Sequence, residues 1–210
     1  MFKLYLDINI YNYIIFNYLI KCLYNLNKVF TNAIDNNCIK VIKLLLKDKR
    51  IDLSNCLNYP IRYATKNGHL KVVKLLLKDK QIDSIDCINY IIQIASESGH
   101  IKIVKLLLKD KRVDPSDNDN YAIRWAAAHG HLKVVKLLIK DKRVNPNNDF
   151  NFAIRYASAN GYIKIVKLLL KDKRVNPGDY YNYAIRWAFM NGHLEIVNLL
   201  LKDKRVKLLQ

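Results

Sequence analysis

Three histidines, His69, His100 and His131, stand 31 residues apart, and His193 falls two such intervals after His131. In a chain that stacks equal units, this spacing lines imidazoles into a column, and neutral imidazoles are ready metal ligands. Tyr162 fills the slot between His131 and His193, and Cys38 fills the slot before His69. The column is therefore interrupted, and no metal site is expected from it. The four cysteines, Cys22, Cys38, Cys56 and Cys87, form no C-x-x-C pair and fit no zinc framework. Cys56 and Cys87 are one interval apart and hold equivalent positions. All four are read as reduced thiols of an intracellular protein.

Asp48, Asp79, Asp110, Asp141, Asp172 and Asp203 share the same interval. An acid repeated in every unit predicts local bonding near a helix end rather than a paired acid–base site. No H-E-x-x-H, phosphate-binding glycine loop, dinucleotide fingerprint or G-x-S-x-G occurs. An enzyme needs a unique constellation, and this chain mostly repeats itself. The expectation is a non-catalytic protein with no cofactor, no metal and no small-molecule substrate.

The lysines make a second set of columns. Lys71, Lys102, Lys133 and Lys164 align, as do Lys74, Lys105, Lys136 and Lys167, in a chain of net charge +18. Stacking would turn them into a basic face able to draw in nucleic acid or an anionic membrane surface. Such binding is largely non-specific, with a Kd on the order of 10⁻⁴ to 10⁻⁶ M for DNA at physiological salt. The competing reading is a solvated stripe that keeps the stack soluble. All units but the last, which has Glu195 and Asn198 there, carry the same lysines, whereas a specific site needs differences between units. No aromatics interleave with them, so base stacking is not indicated. Coding bias toward AT-rich codons would also raise lysine.

Residues that recur like this must be placed by a recurring element. Gly68, Gly99, Gly130, Gly161 and Gly192 mark the same 31-residue period, and a period in the 20–50 range means a stacked solenoid. Within one unit, Tyr121–Ala128 is Ala-rich and predicts a helix. Ala122 and Ala126 are four apart, share a face, and let another helix approach closely. Gly130 is the expected helix stop. A second helix is predicted from about Leu132 to Lys140, where Lys133, Lys136 and Lys140 form one narrow polar stripe. Its remaining circumference is apolar, so it must be sandwiched between neighbours. Pro146 then forbids continuation, and a turn or short extended arm follows. Pro115 and Pro177 hold the same slot. The units run over roughly 27–57, 58–88, 89–119, 120–150, 151–181 and 182–210. Residues 1–26 keep apolar residues in register and are expected to form an N-terminal cap or a degenerate repeat. Asp7, Asn9, Asn12, Asn17 and Lys21 interrupt any span of about 20 apolar residues there.

The run from Gly130-His131-Leu132-Lys133-Val134-Val135 through Leu137-Leu138-Ile139, repeated almost unchanged from Gly68, closely resembles the second helix of the ankyrin repeat. The Ala-rich helix before it fits the first. The likeness spans about residues 27–210. The variant Asn120-Tyr121-Ala122-Ile123-Arg124-Trp125-Ala126, with Asp141-Lys142-Arg143-Val144-Asn145-Pro146, looks like ankyrin proteins encoded by giant DNA viruses of amoebae. The resemblance implies an all-α ankyrin-repeat solenoid of helix-turn-helix units, histidines that bond at the inter-helix loop, and a concave binding face of first helices and hairpin tips. Two departures stand out. Common repeats open the first helix with Thr-Pro-Leu-His, here Tyr121-Ala122-Ile123-Arg124, and this period is shorter than the common 33. The hairpin arm is therefore expected to shrink toward a turn.

The units differ at the ends of their first helices and in their turns. Asp117, Asn118, Asn148, Asp149, Tyr180, Tyr181, Phe189 and Met190 are the expected partner-binding residues, with the last four giving the face an aromatic, apolar end. Trp125 and Trp187 share a slot with Tyr63 and Tyr156 and are read as packing. The expected function is a protein-interaction scaffold for a protein partner, a host protein in the host-cell cytoplasm. The alternative is electrostatic binding of nucleic acid or an anionic membrane through the lysine face.

Overall fold

The computed structural model describes residues 26–48, 53, 59–79, 82 and 85–206. The expected cap at 1–26 lies outside these residues except for Leu26. Among the described residues twelve helices alternate: α1 (Leu26–Asp35), α2 (Ile39–Leu45), α3 (Tyr59–Lys66), α4 (Leu70–Leu76), α5 (Ile85–Glu97), α6 (Ile101–Leu107), α7 (Asp117–Ala128), α8 (Leu132–Leu138), α9 (Asn148–Ala159), α10 (Ile163–Leu169), α11 (Asp179–Met190) and α12 (Leu194–Leu201). No strand occurs among the described residues. The molecule is an all-α stack of helix pairs, as the period predicts. None of these helices is long and apolar enough to cross a membrane.

The odd-numbered helices pack tightly on one another along the stack, while the even-numbered ones approach their counterparts far less. Small residues make the first arrangement possible: Ala122, Ala126, Ala153, Ala157, Ala184 and Ala188 are buried on the first-helix faces. On the second helices Val134, Val135 and Leu138, with their equivalents Ile165, Val166 and Leu169, fill the core. At roughly 1.5–3 kcal/mol per buried aliphatic side chain, these rows supply most of the cohesion between pairs.

The loop between the helices of a pair is bonded to the pair before it. His100 Nε2 donates to the Lys66 carbonyl and His131 Nε2 to the Glu97 carbonyl, both at 2.8 Å. In the two following pairs an asparagine makes the equivalent bond: Asn160 Nδ2 donates to the Ala128 carbonyl at 2.8 Å beside Tyr162, and Asn191 Nδ2 to the Ala159 carbonyl at 2.7 Å beside His193. His100 and His131 are thus framework residues that bond at the inter-helix loop. Each ring also lies over the glycine of the preceding pair: a Cβ on Gly99 would meet His131 Nδ1 at 2.5 Å, and one on Gly130 would meet Tyr162 Cε1 at 2.6 Å.

The repeated aspartates bond locally, and their partner reaches further than the sequence indicates. Asp141 accepts from the Nε and Nη2 of Arg143, at 3.0 and 2.8 Å. Arg143 Nη1 then donates to the Val113 carbonyl, 30 residues back, at 2.7 Å. Asp110–Arg112, Asp172–Arg174 and Asp203–Arg205 repeat the device, with Nη1 on the carbonyls of Ile82, Val144 and Val175. Each guanidinium hydrogen bond holds its carboxyl below the ordinary aspartate value.

The arms that lead into α7, α9 and α11 are turns of unusual hand. In α7, Asn118, Asp119 and Asn120 have φ of 52°, 53° and 59°; Asp149, Phe150 and Asn151 of α9 and Tyr180, Tyr181 and Asn182 of α11 do the same. The right-handed part of α7 therefore begins at Tyr121. The last asparagine of each turn is buried and bonded across the stack. Asn120 Oδ1 accepts from the Asn145 backbone N–H at 2.6 Å, and Asn151 Oδ1 from that of Asn176 at 2.8 Å. In α5, which has no left-handed residue, Asn89 holds the equivalent slot and accepts from the Asp114 backbone N–H at 2.7 Å. Asparagine tolerates the left-handed region and carries the acceptor, which accounts for its place here.

Candidate functional site

The first-helix face carries three parallel columns. Positions one interval apart hold Tyr59, Tyr90, Tyr121, Phe152 and Tyr183; four residues on stand Tyr63, Ile94, Trp125, Tyr156 and Trp187; between them lie Arg62, Gln93, Arg124, Arg155 and Arg186. Spacings of three and four residues put all three on one side of each helix. The rings touch within helices, Tyr121 to Trp125 at 5.5 Å and Phe152 to Tyr156 at 4.0 Å. They also touch between helices, Trp125 to Phe152 at 5.5 Å and Tyr156 to Tyr183 at 5.8 Å. The result is one aromatic ladder from Tyr121 to Trp187. Trp125 and Trp187 do pack, as read from the sequence, and Trp187 is also 38% exposed on this face.

Arginines are laid against the ladder. The Arg62 guanidinium sits 4.3 Å from the Tyr90 ring centre and donates to its hydroxyl at 3.1 Å. Around this pair, Tyr59, Tyr63, Glu97 and His129 help line a groove of about 760 Å³. Tyr121 donates to Glu97 at 2.9 Å, and burial together with that bond pushes its phenol up to about 12. It therefore stays protonated at any physiological pH. Arg124 pairs with Asp149 of the following turn at 2.6 Å. Arg155 is 6% exposed and lies 4.7 and 5.0 Å from the rings of Tyr180 and Tyr183.

The residues expected to bind a partner fall into two places. Asn118, Asp149, Tyr180 and Tyr181 stand exposed at the left-handed turns. Asp117, Asn148 and Asp149 are partly engaged there: Asp117 accepts from Gln93 at 2.8 Å, Asn148 from Asn145 at 3.0 Å, and Asp149 from Arg124. Tyr180 and Tyr181 are 50% and 75% exposed, and Phe150, which the sequence reading passed over, joins them at 64% with its ring 5.9 Å from Tyr180. Phe189 and Met190 lie at the other end of α11, two turns of helix away. The equivalents of Phe189 are Thr65, Ser96, Ala127 and Ser158, all fully buried between neighbouring pairs. Phe189 is exposed because it belongs to the last described pair, so it faces along the stack axis rather than joining the turn tips.

The lysine columns sit on the opposite side. Lys71, Lys74, Lys102, Lys105, Lys133, Lys136, Lys164 and Lys167 are all exposed on the second helices. Among the described residues Lys167 alone of these forms an ion pair, with Glu195 at 3.0 Å. The stripe is apolar-backed and uniform, with no aromatic residue set among its cations.

Sequence reasoning missed the aromatic ladder, the arginines within it and the asparagine column. Each was visible as a 31-residue recurrence, but recurrence alone gives no partner or face. Family models of ankyrin repeats match the chain: one of three copies over residues 81–149 and 123–209, and one of many copies over residues 30–77. No curated protein matches it. Twelve helices in stacked pairs, loops bonded pair to pair, and these matches over most of the described residues agree, and the chain belongs to the ankyrin repeat family.

Proposed function

We propose that this chain is a non-catalytic scaffold that binds a protein partner along its first-helix face, centred on the turn tips of α9 and α11. Ankyrin repeats generally mediate protein–protein interaction, and proteins built from them are typically non-catalytic. The observation that carries the reading is the exposed cluster of Phe150, Tyr180 and Tyr181. Large aromatic residues held at fixed backbone positions, beside an arginine-lined ladder, have the composition of an interface anchor. The resemblance to ankyrin proteins of giant DNA viruses makes a host protein the first partner to test.

The second reading rests on the lysine face, whose eight cations are exposed and almost unpaired. It predicts binding to nucleic acid or anionic membrane that fades with salt. One experiment separates the two. The purified chain and a Phe150→Asn, Tyr181→Asn variant are each used to capture proteins from nuclease-treated lysate at rising salt. Capture of a discrete protein that withstands salt and is lost in the variant supports the scaffold. Capture that disappears with nuclease or modest salt, equally in both chains, overturns it in favour of the lysine face.

A further inference from the structure

In the arginine column Arg124 has an acid of the following turn as its counter-ion, and the next member does not. Arg124 is neutralised by Asp149, whose carboxylate lies 2.6 Å away in the next turn. One interval further on, Arg155 takes the place of Arg124 and Tyr180 takes the place of Asp149. The Tyr180 ring lies over the guanidinium instead of a carboxylate beside it, at 4.7 Å from ring centre to carbon. Tyr183 covers it at 5.0 Å, and Tyr156 and Phe152 stand at 5.8 Å.

Arg155 is consequently a charge that is more than nine-tenths buried and has no acid beside it. Its one hydrogen bond runs from Nη2 to the Asp149 carbonyl at 2.9 Å, and its Nε is buried without a partner. A guanidinium has five N–H donors in a planar fork that matches a carboxylate. Aromatic faces offset part of the cost of burying the cation, but they do not occupy its donors. The acids nearby are taken: Asp149 by Arg124, and Asp179 by Asn151 and Asn176 at 2.7 and 3.1 Å. The chain as a whole carries +18, which draws acidic partners in and repels basic ones.

Building on the scaffold reading, we infer that Arg155 is a receptor for a carboxylate of the partner, and that the partner's docking segment is an acidic peptide whose Asp or Glu is flanked by apolar residues. The acid completes the donor fork of Arg155, and the apolar neighbours pack on Phe150, Tyr180 and Tyr181. Exposed aromatics around a desolvated charge are the arrangement in which a single ion pair contributes most to affinity.

The chain itself supplies two substitutions for the test. Arg155→Gln installs the residue that Gln93 provides in α5, where it is equally buried. Tyr180→Asp installs the acid that Asp149 provides, giving Arg155 an internal counter-ion at a position already left-handed. A phage-displayed library of random dodecapeptides is panned on the full-length protein, and the selected peptides are measured against both variants. The expected peptides carry Asp or Glu beside apolar residues. Their affinity falls on the order of tenfold or more in each variant, and equally when the peptide acid is changed to its amide. Circular dichroism melts of both variants check that the stack is intact, and the amide peptide reads the same contact on the unaltered protein. Peptides without an acid, or affinities unchanged in both variants, overturn the carboxylate receptor while leaving docking through Phe150 and Tyr181 standing. Absence of any selected peptide, together with lysate capture that survives Phe150→Asn, Tyr181→Asn, overturns both.

Discussion

Helices α7 and α8 belong to one pair, yet the surfaces they present differ in kind. The α8 side repeats itself from α2 to α10: two lysines per helix, exposed, in the same slots. The α7 side keeps its skeleton of Ala, Ile and buried Asn but changes what stands on it, from Asn118-Asp119 to Asp149-Phe150 to Tyr180-Tyr181. On the first side the same exposed slots recur and no pair differs from its neighbours until α12. On the second, departures from the chain's own pattern create a place unlike the others. Arg124 and Arg155 show how small such a departure is: one acid exchanged for one ring turns a closed ion pair into an open one.

The two faces are joined through the glycine loop, and disturbing that junction is expected to have the largest effect. Gly130 and Gly192 have φ of +80° and +77°. A Cβ on Gly130 would meet the Tyr162 ring at 2.6 Å, whereas one on Gly192 would meet nothing within 4 Å. Both alanine variants bear the left-handed backbone penalty of about 1 kcal/mol. Gly130→Ala also has to displace the ring that seals the junction to the next pair. It is expected to cost about 2–3 kcal/mol in all, against about 1 kcal/mol for Gly192→Ala, as measured by urea unfolding. Equal losses in the two variants would mean that the faces are coupled within a pair only, with no contribution from the neighbour's ring.

How much of this the sequence discloses depends on how far each contact reaches. The helices, the alanine face and the lysine stripe follow from spacings of three and four residues, and all three appear in the structure. The Asp141–Arg143 contact is two residues long, and the aspartate column predicts its local half. The far half, Arg143 on the Val113 carbonyl, depends on how pairs stack. The hand of the turns is hidden for the same reason. Phe150, Tyr180 and Tyr181 are poor left-handed residues by propensity. They are held there because Asn151 and Asn182 are drawn into the stack, with Asn151 bonding the backbone 25 residues on. Phe189 illustrates the converse, since its slot is buried in every earlier pair and its exposure is set by position along the stack.

The second test asks whether the second-helix side is as internally committed as its repetition implies. Asp141 accepts from the Arg143 backbone as well as its side chain, and that arginine ties two pairs together. Asp141→Asn is expected to destabilise by about 1 kcal/mol at neutral pH, the pair being partly exposed. The sign with pH follows from the depressed carboxyl. A carboxyl with a lowered folded value adds stability that is present above its unfolded value and is lost as pH falls through the folded one. The gap between the unaltered protein and the variant should therefore hold above about pH 4 and close below it. A gap that persists in acid would assign the loss to packing around residue 141 instead of its charge.

The smallest expected effect separates the faces most sharply, because it has the opposite sign. Tyr181 is 75% exposed and has φ of 57°, so its ring contributes little burial while its backbone is in a region unfavourable for aromatic residues. Two intervals earlier the same slot holds Asp119 at φ of 53°. Tyr181→Asn is expected to raise stability by about 0.5–1 kcal/mol through relief of the left-handed penalty. A lysine on the opposite face, such as Lys136, is exposed and its change to Gln should alter stability by less than about 0.5 kcal/mol. If Tyr181→Asn both stabilises the fold and weakens partner capture, the strain at the turn is being maintained for recognition. If it destabilises, the ring has a packing role within the stack, and the binding face must be sought along the arginine column instead, where Arg155 remains without its acid.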